Sequence, residues 1–172
     1  MIKELIEKIR LQFNSDERIE AMLQSYNLKP RDGTVEIDPF ELLREELFID
    51  LISNNHPKSL VLDVGCGFGH MVLNLQKAGI ECKGIDISSS LISLGKELLI
   101  SEGIDPNKLL EADLFEYDFK EKFCTIAACG VIWYYSDKRP FLKKLHSLLE
   151  SSGKTVITHR NDLFNLFALN AG

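Results

Sequence analysis

The sequence lacks the cysteine patterns that mark metal-binding and disulfide-bonded domains. Its 172 residues contain only four cysteines, and no two of them are separated by two residues, the spacing that is typical of zinc sites and redox motifs. All four lie in or beside apolar stretches: Cys66, Cys82, Cys124 and Cys129. We therefore expect four reduced, structural thiols and no metal site, because a free cysteine behaves as a small hydrophobic residue.

Long apolar runs and an excess of positive charge are also missing. No apolar run approaches the roughly 20 residues that span a bilayer, and the N-terminus alternates Lys and Glu with Leu and Ile, unlike a signal peptide. The 26 acidic residues outnumber the 20 basic ones, which gives a net charge of -6. Such a charge would repel phosphates and disfavours nucleic acid as a partner. These features predict a cytoplasmic protein without a membrane segment.

Proline is scarce as well, with five residues, whereas 45% of the chain is hydrophobic, so the composition indicates one compact unit. Residues 1–55 carry apolar residues at helical spacing and are predicted to form an N-terminal helical cap or lid on a core of residues 56–172. The last helix of this cap is predicted to begin with Asp38 as N-cap and Pro39 in its first turn. Its apolar stripe consists of Leu43, Leu47, Leu51 and Ile52.

From Ser59 onwards, short apolar segments alternate with segments of helical spacing. The apolar segments predict five strands, at residues 60–62, 82–87, 109–112, 123–129 and 155–158. Strands separated by helices are typical of the α/β class, with a doubly wound, mostly parallel sheet and right-handed crossovers. In such a sheet ligands bind outside the carboxyl ends of the strands.

A glycine-rich loop comes after the first predicted strand and reads Asp63-Val-Gly65-Cys-Gly67-Phe-Gly69. Glycines let the backbone turn tightly and bring amide groups close to a ligand at the start of a helix. The fingerprint of nicotinamide dinucleotide sites is G-x-G-x-x-G, whereas this loop reads G-x-G-x-G after an aspartate. A nicotinamide-dependent oxidoreductase is therefore only an alternative, which the glycine spacing opposes.

Residues 60–69, together with Gly84-Ile85-Asp86-Ile87-Ser88 and the segment 111–114, resemble the motifs of the class I S-adenosylmethionine-dependent methyltransferases. The resemblance extends from about residue 40 to about residue 160. It implies a Rossmann-like methyltransferase fold, S-adenosyl-L-methionine as cofactor and S-adenosyl-L-homocysteine as product. A module that binds the cofactor without transferring a methyl group is the second alternative.

The resemblance also implies a set of cofactor-binding residues, which are Asp63, Gly65, Cys66, Gly67, Gly69, Asp86, Ile87, Ala112, Asp113, Leu114, Cys129 and Gly130. Asp63 would orient the loop and the ammonium group of the ligand, and would also satisfy loop amides. Asp86 can accept hydrogen bonds from two ribose hydroxyls, although it could instead cap a helix. Asp113 and the amide of Leu114 would meet the adenine ring, unless Asp113 is a solvated loop acid.

The segment after the fourth strand gives the main indication of the acceptor. Residues 129–135 contain neither the Asn/Asp-Pro-Pro-aromatic motif of adenine- and cytosine-amino methyltransferases nor the Pro-Cys of cytosine-carbon enzymes. We therefore expect a small-molecule acceptor with an oxygen or nitrogen. Trp133, Tyr134 and Tyr135 would pack either on a ligand or in the core. His159, just past the fifth strand, is the candidate general base, and His70 is expected only to serve a surface or capping role.

Proteins that this chain resembles continue past the fifth strand into a strand pair that completes the sheet. The sequence contains no further pair, so we expect a core truncated after its fifth strand and only weak activity. Strand 155–158 would then be an open edge, available for a homodimer or covered by the apolar tail at residues 163–169.

Overall fold

The computed structural model describes residues 39–54 and 59–159, together with Leu11, residues 14–17 and Ile19. Most of the predicted N-terminal cap, the N-cap Asp38 and the apolar tail after residue 159 lie outside these residues. The division into a cap at 1–55 and a core at 56–172 therefore stays a prediction.

The sheet consists of five parallel strands, as the sequence predicted. They are β1 Val61–Val64, β2 Cys82–Asp86, β3 Leu109–Glu111, β4 Phe123–Ala128 and β5 Leu149–Ile157, in the spatial order β3-β2-β1-β4-β5. The order runs outwards from β1 in both directions, so the connections reverse between β1 and β4. This reversal makes the gap between their carboxyl ends the expected ligand crevice.

Four α-helices accompany the strands: α1 Pro39–Asn54, α2 His70–Lys77, α3 Ser89–Ser101 and α4 Arg139–Leu148. Helix α3 begins at Ser89, because the hydroxyl of Ser88 caps it by accepting a hydrogen bond from the Leu91 amide at 3.2 Å. None of the helices so described is long and apolar enough to cross a membrane.

Two buried clusters cover the two faces of the sheet. On one face, residues of α1, α2 and α3 such as Ile52, Val72 and Leu99 pack with Val61 of β1. On the other face, residues of α4 pack on the strand residues whose side chains point the opposite way, among them Leu62. This arrangement is the two-sided cover that parallel sheets require.

The connection between β3 and β4 differs from the expected alternation of strands and helices. Residues 112–122 form turns without a helix, since the connection must cross β2 and β1 and has few residues to spare. Leu114, Phe115 and Phe119 from this connection pack against the same cluster as α4. Side chains of a loop thus provide the cover that a helix was predicted to give.

The apolar stripe of α1 does not face the core, contrary to the usual behaviour of such stripes. Leu43, Leu47 and Leu51 are 59%, 55% and 43% exposed, whereas Glu45 and Phe48 are buried. Of the stripe, Ile52 alone is buried. Helix α1 packs on α2 and β5. Contacts with these two elements, and not the leucine stripe, determine which face of α1 is buried.

Strand β5 is longer than predicted and begins directly after α4. Its pairing with β4 shifts between Phe123↔Leu149 and Thr125↔Lys154, so residues 150–153 bulge and Gly153 lies inside the strand. The regular part of the ladder, from Lys154 to Ile157, contains most of the predicted segment 155–158. Within the described part of the chain, no strand pairs with the outer edge of β5.

Candidate active site

The carboxyl ends of β1 to β4 bring the predicted site residues to one edge of the sheet. Asp63 lies in β1, Asp86 ends β2, and the segment 112–114 follows β3. Cys129 and Gly130 follow β4, whose neighbour in the sheet is β1. Residues that are up to 67 positions apart in the sequence therefore share one edge.

The glycine loop after β1 has a backbone that only glycines adopt without strain. Gly65, Gly67 and Gly69 have φ angles of 72°, 56° and 76°, in the left-handed region. A side chain at Gly65 would place its Cβ 2.4 Å from Cγ2 of Val131. The loop is fixed to β2, because the amide of Gly65 donates to the carbonyl of Ile85 at 2.8 Å.

Asp86 joins this loop to the start of α3. Its Oδ2 accepts the amide of Gly67 at 2.8 Å, and its Oδ1 accepts the amide of Ser88 at 2.9 Å. Asp86 is therefore not the N-cap of α3, a position that Ser88 occupies. Burial raises the pKa of Asp86, and the two amides oppose this effect. Each carboxylate oxygen can accept a second hydrogen bond, so the group can still bind vicinal hydroxyls.

Asp63 is a buried carboxylate, 3% exposed, and no hydrogen-bond donor among the described residues contacts it. The expectation that it satisfies loop amides is wrong, because the amides of Gly65, Gly67 and Gly69 donate to other acceptors. Burial, together with the nearby negative charges of Glu45 and Asp86, raises the pKa of Asp63 to about 8. A buried ionised group without a partner is costly, so a cationic ligand would be stabilised here.

Asp113 is buried and holds a turn, which rules out the alternative of a solvated loop acid. Its Oδ1 accepts the amide of Phe115 at 2.7 Å. The preceding residue, Ala112, donates its amide to the carbonyl of Asp86 at 2.9 Å, which places segment 112–114 beside the end of β2. Ile87 is half-buried next to this pair of strand ends.

Two residues of the aromatic cluster after β4 differ in their surroundings: Tyr135 packs in the core, and Trp133 lies beside Gly130. Tyr135 stacks on Phe141 of α4 with ring centroids 4.9 Å apart, and burial, with the charges of Asp113 and Asp86, raises its pKa to about 12. Trp133 is half-buried and lies against Gly130, where an added Cβ would meet its ring at 3.3 Å.

Arg44 of α1 reaches the end of β4, and sequence reasoning missed it. Its Nε donates to Sγ of Cys129 at 3.1 Å, and its guanidinium lies 6.0 Å from the ring centroid of Trp133. Desolvation raises the pKa of Cys129, whereas the charge of Arg44 acts in the opposite direction. No motif surrounds Arg44 in the sequence, so no local signal pointed to it.

Glu45, the next residue of α1, contacts the first residue of α2. Its Oε1 lies 2.6 Å from Nδ1 of His70, and its side chain is almost fully buried. This distance is that of a hydrogen bond between the carboxyl group and the imidazole ring. The expectation that His70 has only a surface or capping role is therefore wrong.

His159, the candidate base, is exposed and follows β5 by two residues. Its neighbour Thr158 donates its amide to the carbonyl of Ala128 at 3.3 Å, and the Thr158 hydroxyl accepts the amide of Gly130 at 2.8 Å. The backbone at His159 thus lies next to the end of β4. Its catalytic role stays a prediction.

Known proteins match the chain in sequence and in fold. A family model described as a methyltransferase domain matches residues 61–153, more than half of the chain. The crystal structure of magnesium protoporphyrin IX methyltransferase from Synechocystis PCC 6803 with bound S-adenosylhomocysteine superposes with a TM-score of 0.73 at 18% identity, covering 96% of this chain and 77% of that one. The N-methyltransferase NodS from Bradyrhizobium japonicum WM9 gives a TM-score of 0.67 at 18% identity, with coverages of 95% and 78%.

Two curated relatives match a part of the chain. The ubiquinone biosynthesis O-methyltransferase of Bradyrhizobium diazoefficiens is 30% identical over 109 residues, which are 63% of this chain and 43% of the relative. The ajmaline N-methyltransferase of Rauvolfia serpentina is 28% identical over 100 residues, 56% of this chain and 34% of the relative. The chain thus spans less than half the length of these relatives. Its match to the family model, together with the five-stranded Rossmann-like sheet, shows that the chain belongs to the class I S-adenosylmethionine-dependent methyltransferases.

Proposed function

We propose that this chain binds S-adenosylmethionine across the carboxyl ends of β1 to β4 and transfers its methyl group to an oxygen or nitrogen of a small molecule. The observation that carries the proposal is the buried carboxylate of Asp63 beneath three left-handed glycines. The chain offers this carboxylate no donor among the described residues, and the cofactor carries both an ammonium and a sulfonium group.

The charges around the loop also separate this cofactor from a nicotinamide dinucleotide. Glu45 and Asp86 both act on Asp63 electrostatically, so three carboxyl groups lie close together near the glycine loop. A cationic ligand would favour the ionised forms of these groups, whereas a diphosphate would oppose their ionisation and be repelled by any of them that is charged. This arrangement supports the methyltransferase proposal over an oxidoreductase.

The remaining residues fit the parts of S-adenosylmethionine in order along the sheet edge. In the proposal, Asp86 accepts from the ribose hydroxyls, and Asp113 and the amide of Leu114 meet the adenine. Gly65, Cys66, Gly67 and Gly69 form the backbone against which the ligand lies. At the other end of the site, the guanidinium of Arg44 would pair with the carboxylate of the amino-acid portion.

Methyl transfer requires mainly alignment from the protein, because the cofactor supplies a methyl group that its sulfonium already activates. Cys129, Gly130 and Trp133 would border the methyl group and the acceptor at the end of β4. His159 would take the proton that an oxygen or nitrogen acceptor loses. Its exposure leaves room for an acceptor to approach.

The relatives support a small molecule as acceptor without deciding its reacting atom. Their names describe an O-methyltransferase of ubiquinone biosynthesis, an ajmaline N-methyltransferase and a sterol 4-C-methyltransferase. We favour oxygen or nitrogen because the candidate base His159 suits the removal of a proton from such atoms.

Calorimetric titration with S-adenosylmethionine, S-adenosylhomocysteine and NAD tests the cofactor. We expect binding of the first two and none of NAD, whereas binding of NAD alone would overturn the proposal. Turnover of a radiolabelled methyl group on a panel of small phenols, amines and carboxylates tests the reaction, and His159→Ala tests the base. Cofactor binding without turnover on any acceptor would identify a binding module instead.

A further inference from the structure

Two consecutive residues of α1 contact residues that follow two different strands. Arg44 contacts Cys129 at the end of β4, and Glu45 contacts His70, which follows the glycine loop of β1. Helix α1 therefore bridges β1 and β4, the pair of strands between which the chain connections reverse. We propose that the Glu45–His70 contact is a positioning contact of the cofactor site, which fixes the rotation of α1 and thereby holds Arg44 above the end of β4.

The other buried residues of α1 are not suited to fixing the rotation of the helix. Phe48 and Ile52 contribute apolar contacts, which are non-directional and tolerate sliding and small rotations. A carboxylate–imidazole hydrogen bond of 2.6 Å has a definite direction. Because successive residues of a helix are turned by about 100°, fixing Glu45 also fixes the direction in which Arg44 leaves the helix.

The partner of Glu45 comes directly after the glycine loop. His70 begins α2 immediately after Gly69, so α1 is tied to the backbone that would lie against the cofactor. Asn74 lies one turn further along α2, and its Nδ2 is 3.3 Å from Nδ1 of His70. Without His70, the Glu45 carboxylate would be buried without this partner and close enough to Asp63 to act on it electrostatically. The helix would then rotate to return Glu45 to water, and Arg44 would leave its position.

This inference rests on the proposed function and makes a prediction about one part of the ligand. S-Adenosylhomocysteine carries an amino-acid carboxylate, whereas 5′-methylthioadenosine has the adenine, the ribose and a thioether but no carboxylate. If His70 acts through Arg44, its loss weakens binding of the first ligand and spares the second. A contact that only stabilises the fold would affect both ligands equally.

The experiment measures the dissociation constants of both ligands by calorimetry for the wild type, Arg44→Gln, His70→Ala, Glu45→Ala and Glu45→Gln. The control is Lys77→Gln, which removes another ion pair of α2, with Glu102 at 2.7 Å, far from the glycine loop. We expect Arg44→Gln, His70→Ala and Glu45→Ala to weaken the binding of S-adenosylhomocysteine by about tenfold or more. The dissociation constant of methylthioadenosine should change by less than about twofold. Glu45→Gln retains an acceptor and should recover part of the loss, and Lys77→Gln should leave both constants unchanged.

The outcomes separate this inference from the proposed function. A wild type that binds neither ligand would reject the cofactor assignment. A wild type that binds both, with variants at His70 and Glu45 that lower the melting temperature but weaken the two ligands in equal proportion, would reject the positioning role alone. Should His70→Ala fail to fold, His70→Asn, which keeps a donor of smaller reach, provides the same comparison.

Discussion

The amide of Gly67 donates to Oδ2 of Asp86 at 2.8 Å, so the carboxylate at the end of β2 holds the turn that follows β1. The second oxygen of Asp86 holds the amide of Ser88 at the start of α3. One side chain thus joins the glycine loop to the start of α3. Asp86 therefore has a structural role in addition to the ribose binding that we propose for it.

Replacing Asp86 should therefore impair cofactor binding strongly. We expect Asp86→Ala to weaken the binding of S-adenosylhomocysteine by about 10- to 100-fold, because a hydrogen bond to a charged group contributes about 1.5–3 kcal/mol. Glu111→Ala is the matched control, since Glu111 is exposed and pairs in register with Asp86 across β2 and β3. Calorimetry measures both constants, and an unchanged value for Asp86→Ala would place the ribose elsewhere.

Gly95 of α3 should resist substitution although it lies in a helix. A Cβ at this position would meet the carbonyl oxygen of Phe68 at 2.3 Å, so the helix would have to move away from the glycine loop. We expect Gly95→Ala to lower the free energy of unfolding by about 1–3 kcal/mol, despite the better helix propensity of alanine. Urea denaturation followed by circular dichroism measures the change, and Ser93→Ala, at an exposed position of the same helix, should not destabilise. Equal stability of Gly95→Ala and the wild type would show that α3 and the loop are not in such close contact.

The parts of this site that the sequence predicted are those determined by residues close together in the chain. The glycine loop and the acid that ends β2 are such parts, because each follows directly from the residues at the end of one strand. Arg44 and Glu45 contact residues 85 and 25 positions away, and no periodicity encodes such partners. For the same reason the spacing of the leucines in α1 did not predict which face of the helix is buried.

The connection between β3 and β4 and the bulge of β5 escaped prediction on similar grounds. Residues 112–122 contain enough apolar side chains for a helix. They form turns instead, because they must cover the distance from β3 past β2 and β1 to β4. In β5, the ladder contact Phe123↔Leu149 extends the strand beyond its apolar segment. Pairing with β4, and not the local composition, sets where this strand begins.

The buried carboxylate of Asp63 should make the ligand-free protein less stable as the pH rises. Its pKa is raised from 3.8 to about 8, so between these values the folded state binds more protons than the unfolded state. Stability from this group is fully present below pH 3.8 and is lost as the pH rises towards about 8. Asp63→Asn should reduce the loss of stability per pH unit. Part of this pH dependence should remain in the variant, because the pKa of Asp86 is also raised. Urea denaturation at several pH values tests this, with the exposed Asp118→Asn as control; equal slopes in wild type and Asp63→Asn would contradict it.

The outer edge of β5 should favour association of two copies. Within the described residues its only strand partner is β4, and open edges of this kind pair readily with other strands. We expect light scattering to show a mass that increases with concentration towards a dimer. Thr155→Lys, which adds charge at an exposed position of this strand, should shift the equilibrium towards the monomer. A constant monomer mass at all concentrations would show that the edge is covered.

Cofactor binding should release a proton from Asp63. With a pKa of about 8, the group is mostly protonated in the ligand-free protein at neutral pH, and an adjacent ammonium group favours its ionised form. Titrations with S-adenosylhomocysteine in phosphate and in Tris, whose ionisation enthalpies differ, should therefore give different heats at neutral pH, and affinity should increase as the pH rises towards 8. Methylthioadenosine, which has no ammonium group, should release no proton, and Asp63→Asn should abolish the difference between buffers for S-adenosylhomocysteine. Identical heats in the two buffers for the wild type would mean that the ammonium binds away from Asp63, and the buried carboxylate would then serve another part of the ligand.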